Sequence, residues 1–159
     1  MSTCLIIYYS QSGTTEKAAR HIAQGLQSCG VNVELFNLQE GRPAEILNCD
    51  LLGVGSPVYF FNPVFEVKTF LYRLPDLKGT PVFTFVSYGT EPGKALPKMQ
   101  TILGDKGAKN IGSFSCRNAN FIFGFRRPGM HLGLDQIPAD ELQEAINFGA
   151  KLAAYIQTK

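Results

Sequence analysis

Cys4-Leu5-Ile6-Ile7-Tyr8-Tyr9, then Ser10-Gln11-Ser12-Gly13-Thr14-Thr15, then the amphipathic stretch Glu16–Gln27: this succession decides the fold. An unbroken apolar run reads as a strand buried on both faces. A loop of hydroxyls around one glycine follows it, and a helical period begins where that loop ends. At such a junction backbone N–H groups converge and the helix dipole favours an anion. Ser10, Ser12, Thr14 and Thr15 bring neutral donors, and Gly13 lets the backbone approach a ligand closely. A helix cap accounts for one hydroxyl, and four in six positions point to a ligand. The loop carries no lysine or arginine, which suits a phosphate held by neutral donors and argues against a nucleoside triphosphate with Mg²⁺.

Outward from this junction, apolar runs alternate with helix-period segments, the pattern of a parallel sheet covered on both faces. The first strand covers Thr3–Tyr9, and the first helix carries its stripe on Ala18, Ala19, Ile22, Ala23 and Leu26 until Gly30 stops it. Strand two is expected over Asn32–Leu38, and a short helix from Pro43. Strand three runs over Leu51–Gly55 and ends in Ser56-Pro57. Pro63 opens the next helix, with Val64, Val67, Phe70, Leu71 and Leu74 inward. Strand four is Pro81–Ser87, and a helix over about Gly93–Leu103 follows. Strand five covers Lys109–Cys116, and a last helix carries Leu142, Ala145, Ile146, Gly149, Leu152, Ala153 and Ile156. Between them Asn118–Pro138 exceeds the ~12–15 residues usual for a structureless connection. That segment is therefore functional or holds short structure of its own.

The bulk properties bound the function. A chain of 159 residues reads as a single domain, 1–159, able to bury roughly 70% of its unfolded surface without a metal or disulfide staple. Hydrophobic content of 45% with 18% charge is that of a globular protein. A net charge of +2 argues against nucleic acid as a partner. Cys4, Cys29, Cys49 and Cys116 form no C-x-x-C, so no metal site is expected, and reduced thiols in the cytoplasm are the default. No apolar run reaches the roughly 18 residues that span a bilayer.

In an open parallel sheet, ligands bind beyond the carboxyl ends of the strands. Besides the first loop, two others reach that edge. Pro57-Val58-Tyr59-Phe60-Phe61-Asn62 is aromatic where loops are usually polar, which makes a wall for a planar ligand unless one ring seals the core. Ser87-Tyr88-Gly89-Thr90-Glu91-Pro92-Gly93 adds a second aromatic and two glycines. The three loops together describe a pocket for a flat heteroaromatic ring with a phosphate tail. A P-loop lacks its lysine here, a G-x-G-x-x-G turn is absent, and strand one does not end in the acidic residues of a receiver domain.

With these motifs in order, the chain resembles a flavodoxin-family FMN domain. S-x-S-G-x-T resembles that family's phosphate signature, Gly55-Ser56-Pro57-Val58-Tyr59 its first flavin loop and Ser87-Tyr88-Gly89 its second. The resemblance implies an α/β three-layer sandwich with a five-stranded parallel sheet in order 2-1-3-4-5. It implies FMN as cofactor, with Ser10, Gln11, Ser12, Gly13, Thr14 and Thr15 at the phosphate. Pro57, Val58, Tyr59, Phe60, Phe61, Asn62, Ser87, Tyr88, Gly89, Thr90 and Gly93 would then lie around the ring system, with Tyr59 and Tyr88 flanking it. No side chain is expected to act as acid, base or nucleophile. More narrowly, Gly55–Pro63 and Phe125-Arg126-Arg127-Pro128-Gly129 resemble the flavodoxin-like module found N-terminal to a two-cluster ferredoxin in some anaerobe proteins.

The implied function is electron transfer to or from a redox partner protein or an iron–sulfur, ferredoxin-type domain, through Phe121, Phe123, Arg126 and Arg127. A stand-alone FMN-dependent NAD(P)H:quinone or flavin reductase is the second reading, and a non-redox interaction module with a degenerate pocket the third. Two departures from the family pattern stand out. The chain is near neutral where electron shuttles are acidic, and Pro57–Pro63 contains no glycine, leaving Asn62 as the residue there that best tolerates positive φ.

Overall fold

A computed structural model describes residues 2–11, 13–43, 48–118, 121–122, 125–126 and 137–158. Five strands form a parallel sheet: β1 (Thr3–Tyr8), β2 (Asn32–Asn37), β3 (Leu51–Tyr59), β5 (Pro81–Tyr88) and β6 (Lys109–Arg117), in spatial order β2-β1-β3-β5-β6. A two-residue return strand, β4 (Asn62–Pro63), folds back antiparallel on the end of β3. Setting β4 aside, this is the expected 2-1-3-4-5 order.

Strand alternation sorts the core into two layers. Cys4, Ile6, Tyr8, Phe83, Phe85 and Phe114 face α1 (Thr14–Ser28) and α4 (Ala139–Gln157). Leu5, Ile7, Leu52, Val54, Val82 and Val86 face α2 (Phe65–Tyr72) and α3 (Ala95–Asp105). Both faces of the central strands are covered, which is why their sequences read as apolar runs without polar alternation.

The Gly53-x-Gly55 pair has a packing origin. Each glycine is in register with a phenylalanine, Phe83 and Phe85, and a Cβ at either would overlap the facing ring. The two rings lie 6.1 Å apart, and Phe148 of α4 closes edge-on over Phe83 at 5.8 Å. On the same side α1 and α4 cross closely, because Gly25 rests on the Ile146 carbonyl and Gly149 on that of Ile22.

Several boundaries differ from expectation. β3 continues past Gly55 to Tyr59, since Ser56 and Pro57 keep pairing with Val86 and Ser87 of β5. Pro63 pairs with Val58, so α2 starts later, at Phe65, where the buried Ser56 hydroxyl accepts the Val64 N–H at 3.0 Å. Gly93 has φ +57, outside the helical region, and α3 starts at Ala95. The helix expected from Pro43 falls on residues 44–47, outside those described. Ahead of it, Leu38–Glu40 make a 3-10 turn. The long connection after β6 holds short structure: β7 (Phe121–Ile122) and β8 (Phe125–Arg126) pair antiparallel.

Thr84 lies mid-strand in β5, in register between Val54 and Ser113, and its buried hydroxyl has no hydrogen-bond partner among the described residues. An unpaired buried hydroxyl costs about 1–3 kcal/mol. Thr84→Val keeps the shape and removes that hydroxyl, so it is expected to raise unfolding stability by about 1 kcal/mol in urea titrations. A loss of stability of similar size would contradict the packing described.

Candidate functional site at the carboxyl edge of the sheet

The loop after β1 is organised by its own backbone. Gly13 takes the N-cap of α1 with φ +99, and its N–H donates to the Ser10 hydroxyl at 3.1 Å. No side-chain hydrogen bond caps α1 among the described residues. The first N–H groups of a helix lack intrahelical acceptors, so this start presents donors to an anion. Glu16, the one acidic residue of that turn, is engaged elsewhere, by the Tyr8 hydroxyl at 3.1 Å and by Arg20 at 3.3 Å. Ser12 lies outside the described residues, and Gln11 is exposed.

Three long-range contacts fix this loop to its neighbours. Asn37, at the end of β2, clamps Ser10: its amide oxygen accepts the Ser10 N–H at 3.3 Å and its amide nitrogen donates to the Ser10 carbonyl at 3.2 Å. The hydroxyls of Thr15 and Ser87 bond each other at 2.8 Å in the interior. Asn118, buried just beyond β6, donates its side-chain amide to the Thr14 hydroxyl at 3.0 Å and its N–H to the Tyr88 carbonyl at 2.7 Å. The loops after β1, β5 and β6 therefore form one hydrogen-bonded unit. Asn37 and Asn118 carry no signal in the sequence beyond an asparagine at a strand end, so sequence reasoning passes over them.

The aromatic segment is a hairpin where a loop was expected. Tyr59 pairs with Asn62, leaving the two-residue turn Phe60-Phe61 with φ of +53 and +66. Positive φ thus falls on two phenylalanines, and Asn62 serves the turn through its side chain instead. Two-residue hairpins favour a type I′ turn, usually built from Asn-Gly because left-handed backbone costs other residues about 1–2 kcal/mol each. The turn is held from several sides: the Asn62 amide donates to the Phe60 carbonyl at 2.9 Å, the Lys94 N–H to the Phe61 carbonyl at 3.1 Å, and Lys98 to Asn62 at 3.3 Å. Gly93 packs directly against the Phe61 backbone. Tyr59 is 49%, Phe60 92% and Phe61 53% exposed, so these rings face solvent, while Pro57 and Val58 belong to the strand.

Across the edge, Tyr88 closes β5 half-buried, followed by Gly89 and the exposed Thr90. Burial and the Glu141 carboxylate raise its phenol above the usual range. Of the residues expected to meet a partner, Phe121 and Arg126 stand opposite each other in the β7–β8 register, and Phe123 and Arg127 lie outside the described residues. No group of metal-binding side chains forms among the described residues.

Two outcomes follow from this geometry. The double change Phe60→Asn/Phe61→Gly gives the turn its favoured residues and is expected to raise stability by about 1 kcal/mol, read in chemical denaturation. Tyr8 is pushed up to about 12 by burial, and next by its hydrogen bond to Glu16. Its phenol titrates near 10 when unfolded, so the associated stability is complete below about pH 10 and disappears as pH rises to about 12. Alkaline unfolding curves of Tyr8→Phe should lack that component.

Comparison with known proteins identifies the family. Residues 6–149 match the family model for flavodoxin. The chain is 29% identical over 111 residues to a flavodoxin of Megasphaera elsdenii, covering 68% of this chain and 81% of that one. It is 36% identical over 108 residues to a putative diflavin flavoprotein of Synechocystis, covering 64% of this chain but 18% of the longer protein. In three dimensions it superimposes on a flavodoxin from the domain Archaea with a TM-score of 0.76 at 19% identity, covering 98% and 99% of the two chains. The chain belongs to the flavodoxin family, whose members are FMN-binding electron-transfer flavoproteins.

Proposed function

We propose that this chain holds FMN along the carboxyl edge of its sheet and exchanges electrons with a separate redox protein or an iron–sulfur domain. The observation that carries the reading is one juxtaposition. An α1 start that no side chain caps among the described residues, opened by a left-handed Gly13, shares the sheet edge with an exposed aromatic hairpin. The residues present fit the cofactor: neutral donors for a phosphate and aromatic faces for a planar ring.

The phosphate would be held by the backbone N–H groups from Gln11 to Thr15, with Ser10, Ser12 and Thr14 around them. Thr15 and Ser87 give that loop a fixed seat, because their mutual hydrogen bond is buried and anchors α1 to β5. Asn37 and Asn118 position the loop from either side. Tyr59 and Tyr88 would flank the ring, and the backbone of Val58–Asn62 and Gly89–Gly93 would address its polar edge. The hairpin's own hydrogen bonds keep Tyr59 and its neighbours in place without help from the ligand. Bound FMN supplies the redox chemistry that these side chains lack. The surroundings contain no cation in the first loop to activate a phosphate ester, so the site is built for retention.

The test is binding. FMN added to the purified protein is expected to lose its fluorescence with micromolar or tighter affinity, and riboflavin, without the phosphate, to bind at least about tenfold more weakly. Gly13→Val forces a branched side chain into the left-handed region and should weaken FMN by about 1–3 kcal/mol while leaving riboflavin nearly unchanged. Equal affinities for the two flavins would remove the phosphate assignment.

A further inference from the structure

Tyr59, Phe60, Phe61, Phe65 and Tyr72 are the large apolar side chains exposed among the described residues, and all lie within one stretch of chain. The first three form the hairpin, but Phe65 (74% exposed) and Tyr72 (59%) belong to α2, outside the loops assigned to FMN. Seven residues apart, they share a helix face, with Lys68 between them. An exposed aromatic cluster of this extent marks an interaction site.

Beside it runs an open groove of about 400 Å³ between the hairpin, α2 and α3, lined by Asn62, Tyr72, Lys94, Pro97, Lys98 and Asp105 among others. Lys94 and Lys98 stand at its hairpin end, where the Lys94 backbone holds Phe61 and the Lys98 side chain holds Asn62. Neither lysine forms an ion pair among the described residues. Of the acidic groups of these elements, Glu66 and Glu91 are absent from the groove lining, and Asp105 lines it from the far end of α3.

We infer that this surface docks the acidic face of a partner protein, whose carboxylates meet Lys94 and Lys98 while its apolar side chains cover Phe65 and Tyr72. A second copy of the chain is a poorer occupant. An isologous contact centred on the hairpin end would set the same two lysines against their own counterparts. Aromatic centres with charged rims are the usual anatomy of transient interfaces. The identity of the partner as a redox protein rests on the function proposed above; the docking surface itself does not.

The experiment is fluorescence anisotropy of a dye-labelled acidic [2Fe–2S] ferredoxin, titrated at low salt with the FMN-loaded protein and with protein to which no FMN was added. Flavin fluorescence quenching is followed in the same samples. Binding is expected, weakening as salt rises, and falling about tenfold or more in Lys94→Glu/Lys98→Glu and in Phe65→Ala. Lys151→Glu on α4 should bind as the wild type does, and basic cytochrome c should bind the charge-reversed variant better than the wild type. Phe65 is exposed, so its truncation keeps the fold, and circular dichroism melts verify each variant. Absence of ferredoxin binding, binding untouched by both variants, or a dimer in sedimentation that the same variants dissolve would each overturn the inference. Unquenched flavin would instead refute the cofactor assignment and leave the anisotropy result to stand on its own.

Discussion

The sheet is assembled around a steric match between β3 and β5. Phe83 and Phe85 occupy space that Gly53 and Gly55 leave empty, and no other side chains at those glycines would admit the rings in register. Phe148 of α4 and Phe114 of β6 then stack onto the same cluster. α4 is in turn held to α1 through the reciprocal glycine contacts at Gly25 and Gly149. Since α1 begins at the Ser10–Thr15 loop, the loop's position is set by packing that extends across the whole layer. Close-packed interiors transmit such constraints because they have little free volume to absorb a shift.

The two halves of the candidate site are stabilised in different ways. Among the described residues the loop after β1 takes left-handed backbone only at Gly13, and it is held by hydrogen bonds to Asn37, Ser87 and Asn118. The hairpin after β3 carries two phenylalanines in left-handed backbone, a cost met by hydrogen bonds to both of its carbonyls and by close packing on Gly93. Strain retained in a turn with solvent-facing rings is a feature of sites where the rings have a use beyond folding. The adjoining aromatics of α2 and the lysines of α3 extend that surface away from the sheet edge.

Much of the fold was legible because it depends on local pattern. The apolar runs at Cys4–Tyr9, Leu51–Gly55 and Pro81–Ser87 and the helical stripes between them are one-dimensional signals, and the three loops expected at one sheet edge do lie together there. The boundaries were less so. β3 continues through Ser56-Pro57 because β5 is there to pair with it, and Pro63 lies in a return strand because Val58 faces it. Neither partner is visible from propensity. Gly53-x-Gly55 acquires its meaning only when the two facing phenylalanines are in register.

The sequence by itself determined the layered α/β architecture, the hydroxyl-rich, cation-free character of Ser10–Thr15 and the aromatic character of Pro57–Asn62, since each follows from residue type and spacing over a short stretch. Tertiary structure alone decided which of those polar groups are occupied by the protein itself. Thr15 meets Ser87 across 72 residues and Thr14 meets Asn118 across 104. It also decided that Phe60 and Phe61, not Asn62, take the left-handed backbone. Such outcomes depend on what folding brings alongside, and a hydroxyl or a turn has no preference for a distant partner until the intervening sheet places the two within hydrogen-bonding distance.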